Sequence, residues 1–161
     1  MLRKKVQDAL NEQINKELYS AYLYLSMSTY CESINLSGFG HWMRAQAREE
    51  QEHAMKLYGF ICDRGGRVEL QAIDQPPVEF KSAIDLFEQT LKHEEFVTSL
   101  INNLYVLSAQ EKDYATQIFL QWFVTEQVEE EKGAGEILER LRLIGDKAQG
   151  LLIMDRQLAA R

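Results

Sequence analysis

Apolar residues recur along this chain at steps of three and four, in four long runs separated by turn residues. The first run, from about 6 to 33, carries Leu10, Ile14, Glu17, Ala21, Tyr24 and Ser28 on one stripe. The second, from about 38 to 64, carries Phe39, Met43, Ala47, Ala54, Leu57 and Ile61. The third, from about 83 to 111, carries Ile84, Phe87, Leu91, Glu94, Thr98, Ile101 and Tyr105. The fourth, from about 114 to 143, carries Leu120, Phe123, Gln127, Glu130, Ala134, Ile137 and Leu141. Each periodicity predicts an amphipathic helix.

The punctuation between runs supplies the connectivity. Asn35-Leu36-Ser37-Gly38 is a short turn, so the first two helices are antiparallel neighbours. Gly65-Gly66 stops the second helix, Ser82 caps the third, Asp113 opens the fourth and Gly145 ends it. Between the second and third helices lie Arg67 to Lys81, with Pro76-Pro77. A connection of about fifteen residues is long for a compact domain and long enough to travel the length of a bundle. A short amphipathic segment, Leu151 to Leu158, predicts a tail helix over about 146–159. The expected fold is all-α: one domain over 1–161, with a four-helix bundle over 6–143, one long crossover between helices 2 and 3, and a short C-terminal fifth helix. The run Leu18 to Leu25 is apolar or aromatic on more than one side, which calls for cover by a second chain as well as by its own bundle.

Polar residues interrupt all four stripes: Glu17, then Glu50 with His53, then Glu94, then Gln127 with Glu130. Glu50 and His53, three residues apart, share a helix face and reach one point in space. Taken alone, that pair is either a ligand set or a buried polar pair that satisfies itself. At a rise of about 1.5 Å per residue, Glu17 lies ~24 Å below the first turn and Glu50 and His53 ~18–22 Å below it. Glu94 lies ~24 Å from the second turn, and Gln127 and Glu130 ~21–25 Å from it. With the crossover setting the two hairpins parallel, all six meet at one level. An offset of 77 residues carries Glu17 onto Glu94, Glu50 onto Gln127, His53 onto Glu130, Glu49 onto Glu126 and Glu52 onto Glu129. The two hairpins read as two copies of one unit. Carboxylates with a single imidazole suit iron or manganese, and the lack of cysteine among them argues against structural zinc. A dinuclear iron site explains the convergence better than a self-satisfied polar core.

Composition narrows the partners. A net charge of -7 and a pI near 5.0 set aside nucleic acid and favour cations. Cys31 and Cys62 are isolated, without metal-type spacing, which suits a reducing cytoplasm. The N-terminal residues enter a helical pattern without an apolar signal core. The stretch Leu18 to Tyr30 is broken by serines and too short to span a bilayer, so no membrane association is expected.

The segments Leu10 to Ser20, Glu49 to His53, Lys92-His93-Glu94 and Gln121 to Glu131 together resemble the bacterial and archaeal non-haem ferritins, and the likeness extends over essentially the whole chain. The resemblance implies a homo-oligomeric shell of twenty-four subunits (a 24-mer) that oxidises Fe(II) with O2 or H2O2 and stores ferric mineral. It further implies that Glu17, Glu50 and His53 hold one iron and that Glu50, Glu94 and Glu130 hold the second, with Glu50 bridging and Gln127 alongside. Glu49, Glu126 and Glu129 match a third iron position shared with Glu130; a solvated acidic face is the alternative. Tyr24 and Trp122 match aromatic residues that supply electrons during oxygen reduction, with plain core packing the alternative for Tyr24. His41 and His93 fall outside the stripes and read as structural or exposed. Gly133-Ala134-Gly135 departs from a regular helix and implies a kink or close packing. Bacterioferritin keeps a His where this chain has Glu130 and a haem-binding Met where it has Gln51, so no haem is expected. Rubrerythrin-like peroxidases add a Cys-x-x-Cys module that is absent here. A non-catalytic helical interaction module remains as the third class.

Overall fold

The computed structural model describes residues 2–145 and 147–161 and consists of five helices. These are α1 (Lys4–Ser33), α2 (Ser37–Asp63), α3 (Ala83–Gln110), α4 (Tyr114–Ile144) and α5 (Ala148–Leu158). The expected ends agree with these to within a few residues. Asp146, where the tail helix was expected to begin, lies outside the described residues, as does Met1.

The caps that the sequence suggested close the helices as their chemistry requires. Ser82 Oγ accepts from the Asp85 N–H at 3.1 Å, and Asp113 Oδ1 accepts from the Thr116 N–H at 3.1 Å. At the first turn Asn35 takes a left-handed conformation (φ 61), a shape its short polar side chain tolerates. The crossover runs along α1, held rung by rung. Asn11 donates to the Arg67 carbonyl at 3.1 Å, Asn15 to Ala72 at 2.9 Å and Ser26 to Pro77 at 2.6 Å. That route places the two hairpins side by side with their turns at opposite ends. Arg64, just past α2, pairs with Asp113 in the second turn at 3.0 Å. The hairpins are therefore antiparallel, not parallel as expected from the sequence. The polar residues share one level only because ~24 Å is about half of a 30-residue helix, which puts them at mid-height from either end.

Two apolar clusters fill the bundle, one on each side of that level. The first gathers Tyr24, Met27, Phe39, Met43, Phe87 and Leu138. The second gathers Leu10, Ile14, Leu57, Ile61, Ile101 and Phe123. On α4 all seven stripe residues are buried. On α3 the buried face is turned from the expected one: Leu86, Thr90, Val97, Leu104 and Ser108 join Phe87, Glu94 and Ile101, while Ile84, Leu91, Thr98 and Tyr105 are half-buried. Both faces have apolar residues at helical steps. The one chosen seats Leu86, Val97 and Leu104 inside and leaves Thr98 at the edge, where its hydroxyl donates to Glu131 at 2.6 Å and accepts from Gln127 at 3.3 Å. No described helix is long and apolar enough to cross a membrane.

The tail helix packs Met154 and Leu158 into the first cluster and completes α2. No side chain of its own caps α2 at Leu36. Instead, Asp155 Oδ1 accepts from the Phe39 N–H at 3.0 Å, placing a carboxylate at the positive end of the helix. Gly38 makes the approach possible, since a Cβ there would lie 1.7 Å from the Asp155 carbonyl oxygen. Gly133 and Gly135 behave differently. α4 runs unbroken through them, and a Cβ at either would meet nothing within 4 Å, so no contact within the subunit demands glycine there.

These contrasts predict opposite results from one kind of substitution. Gly38→Ala should cost about 1–3 kcal/mol and loosen α5. Gly133→Ala should gain up to about 1 kcal/mol. Thermal melts of the metal-free protein, with hydrogen exchange over 148–158, measure both; an unperturbed tail in Gly38→Ala would refute the packing described.

Candidate metal centre

Six side chains from four helices occupy the layer between the two apolar clusters. α1 brings Glu17, α2 Glu50 and His53, α3 Glu94, and α4 Gln127 and Glu130; each is less than a tenth exposed. They form two overlapping sets. Glu17, Glu50 and His53 offer one ligand atom each within 4.8 Å of one another, and so do Glu50, Glu94 and Glu130. Glu50 belongs to both. His53, Glu126 and Glu130 form a third such set.

Amide donors orient the carboxylates. Gln13 donates to Glu17 Oε1 at 2.9 Å, and Gln127 to Glu94 Oε2 at 3.2 Å. Gln46 donates to Glu130 Oε2 at 2.5 Å and to Glu50 Oε1 at 3.4 Å. The Tyr24 hydroxyl donates to Glu94 Oε1. His53 Nδ1 lies 3.2 Å from Glu50 Oε2. One oxygen, Glu17 Oε2, is buried without a hydrogen-bond partner among the described residues, and a buried carboxylate oxygen left unpaired beside other acids could serve as a metal donor.

Electrostatics agree with the geometry. Burial, followed by the charge of Glu50, holds the Glu17 carboxyl well above the usual range. Burial, then Glu94 and Glu130, does the same to Glu50. Burial pushes Glu94 and Glu130 up to about 7. Four acids in a water-poor layer cannot all ionise alone; each needs a proton or a cation. The donor set, carboxylate oxygens with one imidazole, suits iron or manganese.

The remaining expected residues divide. Tyr24 is fully buried in the first apolar cluster and bonded to Glu94, so it is both core and neighbour of the centre; burial and Glu94 raise its phenol well above 10 and keep it neutral. Trp122 is 37% exposed and stands edge-on to the His53 ring at 5.3 Å. Glu126 joins the centre through His53 and Glu130, whereas Glu49 and Glu129 enter no such set among the described residues. Both line an adjoining cavity of about 590 Å³. His93 is structural, its Nε2 2.7 Å from Ser20 Oγ and its ring edge-on to Tyr24, and burial lowers its pKa to about 4. His41 is half-buried, its Nε2 2.8 Å from the Arg161 backbone oxygen.

Sequence reasoning missed three participants. Gln13 and Gln46 each lie four residues before a ligand-type glutamate on a buried face, a signal that the stripe analysis passed over. Arg161 donates to Gln46 Oε1 at 2.8 Å and to Glu49 Oε2 at 2.5 Å, and nothing in its sequence position marked it.

Comparison with known proteins adds independent observations. Residues 7–144 match the Ferritin family profile, described as a ferritin-like domain. The chain is 47% identical to a bacterial non-heme ferritin of Campylobacter jejuni over 96% of its own length and 93% of the relative's. It is 43% identical to a bacterial non-heme ferritin of Bacteroides fragilis over the full length of both. Its structure superposes on the open pore ferritin of Archaeoglobus fulgidus with a TM-score of 0.99 and 52% identity, covering 100% of this chain and 99% of the other.

The raised carboxyls fix the sign of the pH response. A folded-state pKa of about 7 against the ordinary 4.5 means that the folded protein binds more protons between those values. Stability contributed by the neutral acids is therefore present at low pH and lost as pH rises towards 7 and beyond. Metal-free protein should melt at a higher temperature at pH 5.5 than at pH 8, and Glu130→Gln should flatten that difference. A metal-free melting temperature that rises from pH 5.5 to pH 8 would contradict the crowded-carboxylate description.

Proposed function

The chain belongs to the ferritin family, and from that premise we propose that it oxidises Fe(II) at an intra-subunit dinuclear centre and stores the ferric product as mineral inside a cytoplasmic shell of twenty-four subunits. The observation that carries this reading is the pair of ligand sets sharing Glu50. Two irons bound in sets with a common carboxylate are held close enough for one oxidant to take an electron from each.

Iron is substrate and cargo here. Glu17, Glu50 and His53 take one Fe(II); Glu50, Glu94 and Glu130 take the other, with Gln127 holding Glu94 in place. Binding displaces the protons that Glu94 and Glu130 carry near neutrality, and the ions relieve the carboxylate repulsion. Two Fe(II) then give one electron each to O2, which leaves as H2O2 after taking two protons. With H2O2 as oxidant, the same two electrons and two protons give two waters. Tyr24, a neutral phenol bonded to Glu94, is the proposed donor when oxygen takes an electron beyond the two that the irons supply, its proton passing to Glu94. Glu49, Glu126 and Glu129, with Glu130, form a third iron position on the cavity side.

Assembly has its own support. Tyr22 and Leu25 are 50% and 45% exposed on α1 and line an apolar groove with Leu18 and Ile73, a face suited to a second copy of the chain. On α5, Leu152 and Ile153 also stand outside the bundle.

Stopped-flow oxidation of Fe(II) tests the chemistry. Glu50→Ala should slow the fast phase about 100-fold, the equivalent of ~3 kcal/mol of barrier. Glu129→Ala should leave the first fast phase largely intact and alter later turnover. Parent-rate oxidation by Glu50→Ala would end the dinuclear reading. Light scattering should return a shell of twenty-four subunits; monomers or dimers alone across a range of salt would refute the assembly.

A further inference from the structure

The guanidinium of Arg161, just past α5, borders the cavity lined by Gln46, Glu49, Glu126, Glu129 and Glu130. Its two terminal nitrogens divide their work: one donates to Gln46 Oε1 at 2.8 Å, the other to Glu49 Oε2 at 2.5 Å. The residue is held through its ring-face contact and its backbone too. Its guanidinium carbon lies 4.5 Å from the centre of the Trp42 ring, and its backbone oxygen lies 2.8 Å from His41 Nε2. The cavity it borders collects five glutamates, Glu49, Glu126, Glu129, Glu130 and Glu136, with Arg140 the other cation on its wall.

Two consequences follow from these contacts. The first concerns Gln46. Arg161 has donors only, so it bonds the amide oxygen and leaves the Gln46 NH2 to point at carboxylates. That NH2 meets Glu130 and Glu50, one ligand of the second set and the residue common to both. The second concerns Glu49. Its Oε2 is engaged by the guanidinium, and the ligand sets take in Glu126 and Glu130 but not Glu49.

We propose that Arg161 is a resident cation at the third position: it holds Glu49 as its counter-ion, so an iron can settle there only by displacing the guanidinium. Arg161 is thus a positioning residue that restrains movement of iron from the dinuclear centre towards the cavity. Displacement frees the Gln46 oxygen as well, so arrival of a third ion loosens the amide that orients Glu50 and Glu130. The proposal rests on the reading of Glu49, Glu126, Glu129 and Glu130 as a third iron position.

Anaerobic titration calorimetry with Fe(II), on the intact assembled protein, tests it without turnover. Arg161→Ala should bind the third ion about fivefold more tightly than the parent does, the scale of one partly exposed ion pair, while the two tighter ions keep their stoichiometry. Arg161→Lys keeps the charge but loses the fork that spans Gln46 and Glu49 and lies over Trp42, so it should tighten the third ion less than Arg161→Ala does. α5 remains anchored in both variants by Asp155 on the Phe39 N–H and by Met154 and Leu158, and light scattering verifies the particle. The two tight ions of the parent judge the dinuclear centre by themselves; the difference between parent and variants judges the latch. A third ion bound equally or more weakly in Arg161→Ala, or tightened as much in Arg161→Lys as in Arg161→Ala, would overturn the proposal.

Discussion

Four buried glutamates share one water-poor layer, and the rest of the bundle is arranged to tolerate them. Glu17, Glu50, Glu94 and Glu130 repel one another as anions, and burial adds its own penalty, so their carboxyls are all raised. A protein selected only for stability would replace such a layer with aliphatic side chains, since buried charge rarely adds net stability. The layer persists here at the centre of each helix, flanked by two apolar clusters that hold the backbone in register. A bound cation would convert that repulsion into coordination, and Glu17 Oε2, buried without a hydrogen-bond partner among the described residues, offers it a donor.

The supporting parts depend on this constraint. Long helices are needed because the layer must be buried from both ends, and the crossover along α1 brings the α3–α4 hairpin beside the first with its turn at the opposite end. Amides from Gln13, Gln46 and Gln127 each present an N–H to a carboxylate, which orients it without adding charge. The tail adds a cation at the edge of the layer, at Glu49.

Much of this was legible because each helix carries its own record of what it buries. The polar interruptions at Glu17, Glu50, His53, Glu94, Gln127 and Glu130, together with the 77-residue offset, marked the six side chains and their mid-helix depths. The parallel hairpins used to bring them together were wrong, and the level survived because mid-height is the same from either end. The face of α3 was read with a turn, because Ile84, Leu91 and Tyr105 keep helical spacing as well as Leu86, Val97 and Leu104 do. Spacing alone cannot choose between two apolar stripes; the neighbours that cover them decide. Gln46 was visible in principle, four residues before Glu50. Arg161 was not, since its partners lie more than a hundred residues away and their meeting depends on how α5 docks through Gly38 and Asp155.

In the proposed function, two irons share Glu50 within one subunit. Diffraction from crystals soaked anaerobically in Fe(II), recorded at the iron absorption edge, tests it most directly. Two strong anomalous peaks per subunit are expected, one among Glu17, Glu50 and His53 and one among Glu50, Glu94 and Glu130, with Glu50 contacting both. A single peak, or iron bound only on the cavity or outer surface with this layer empty, would contradict it.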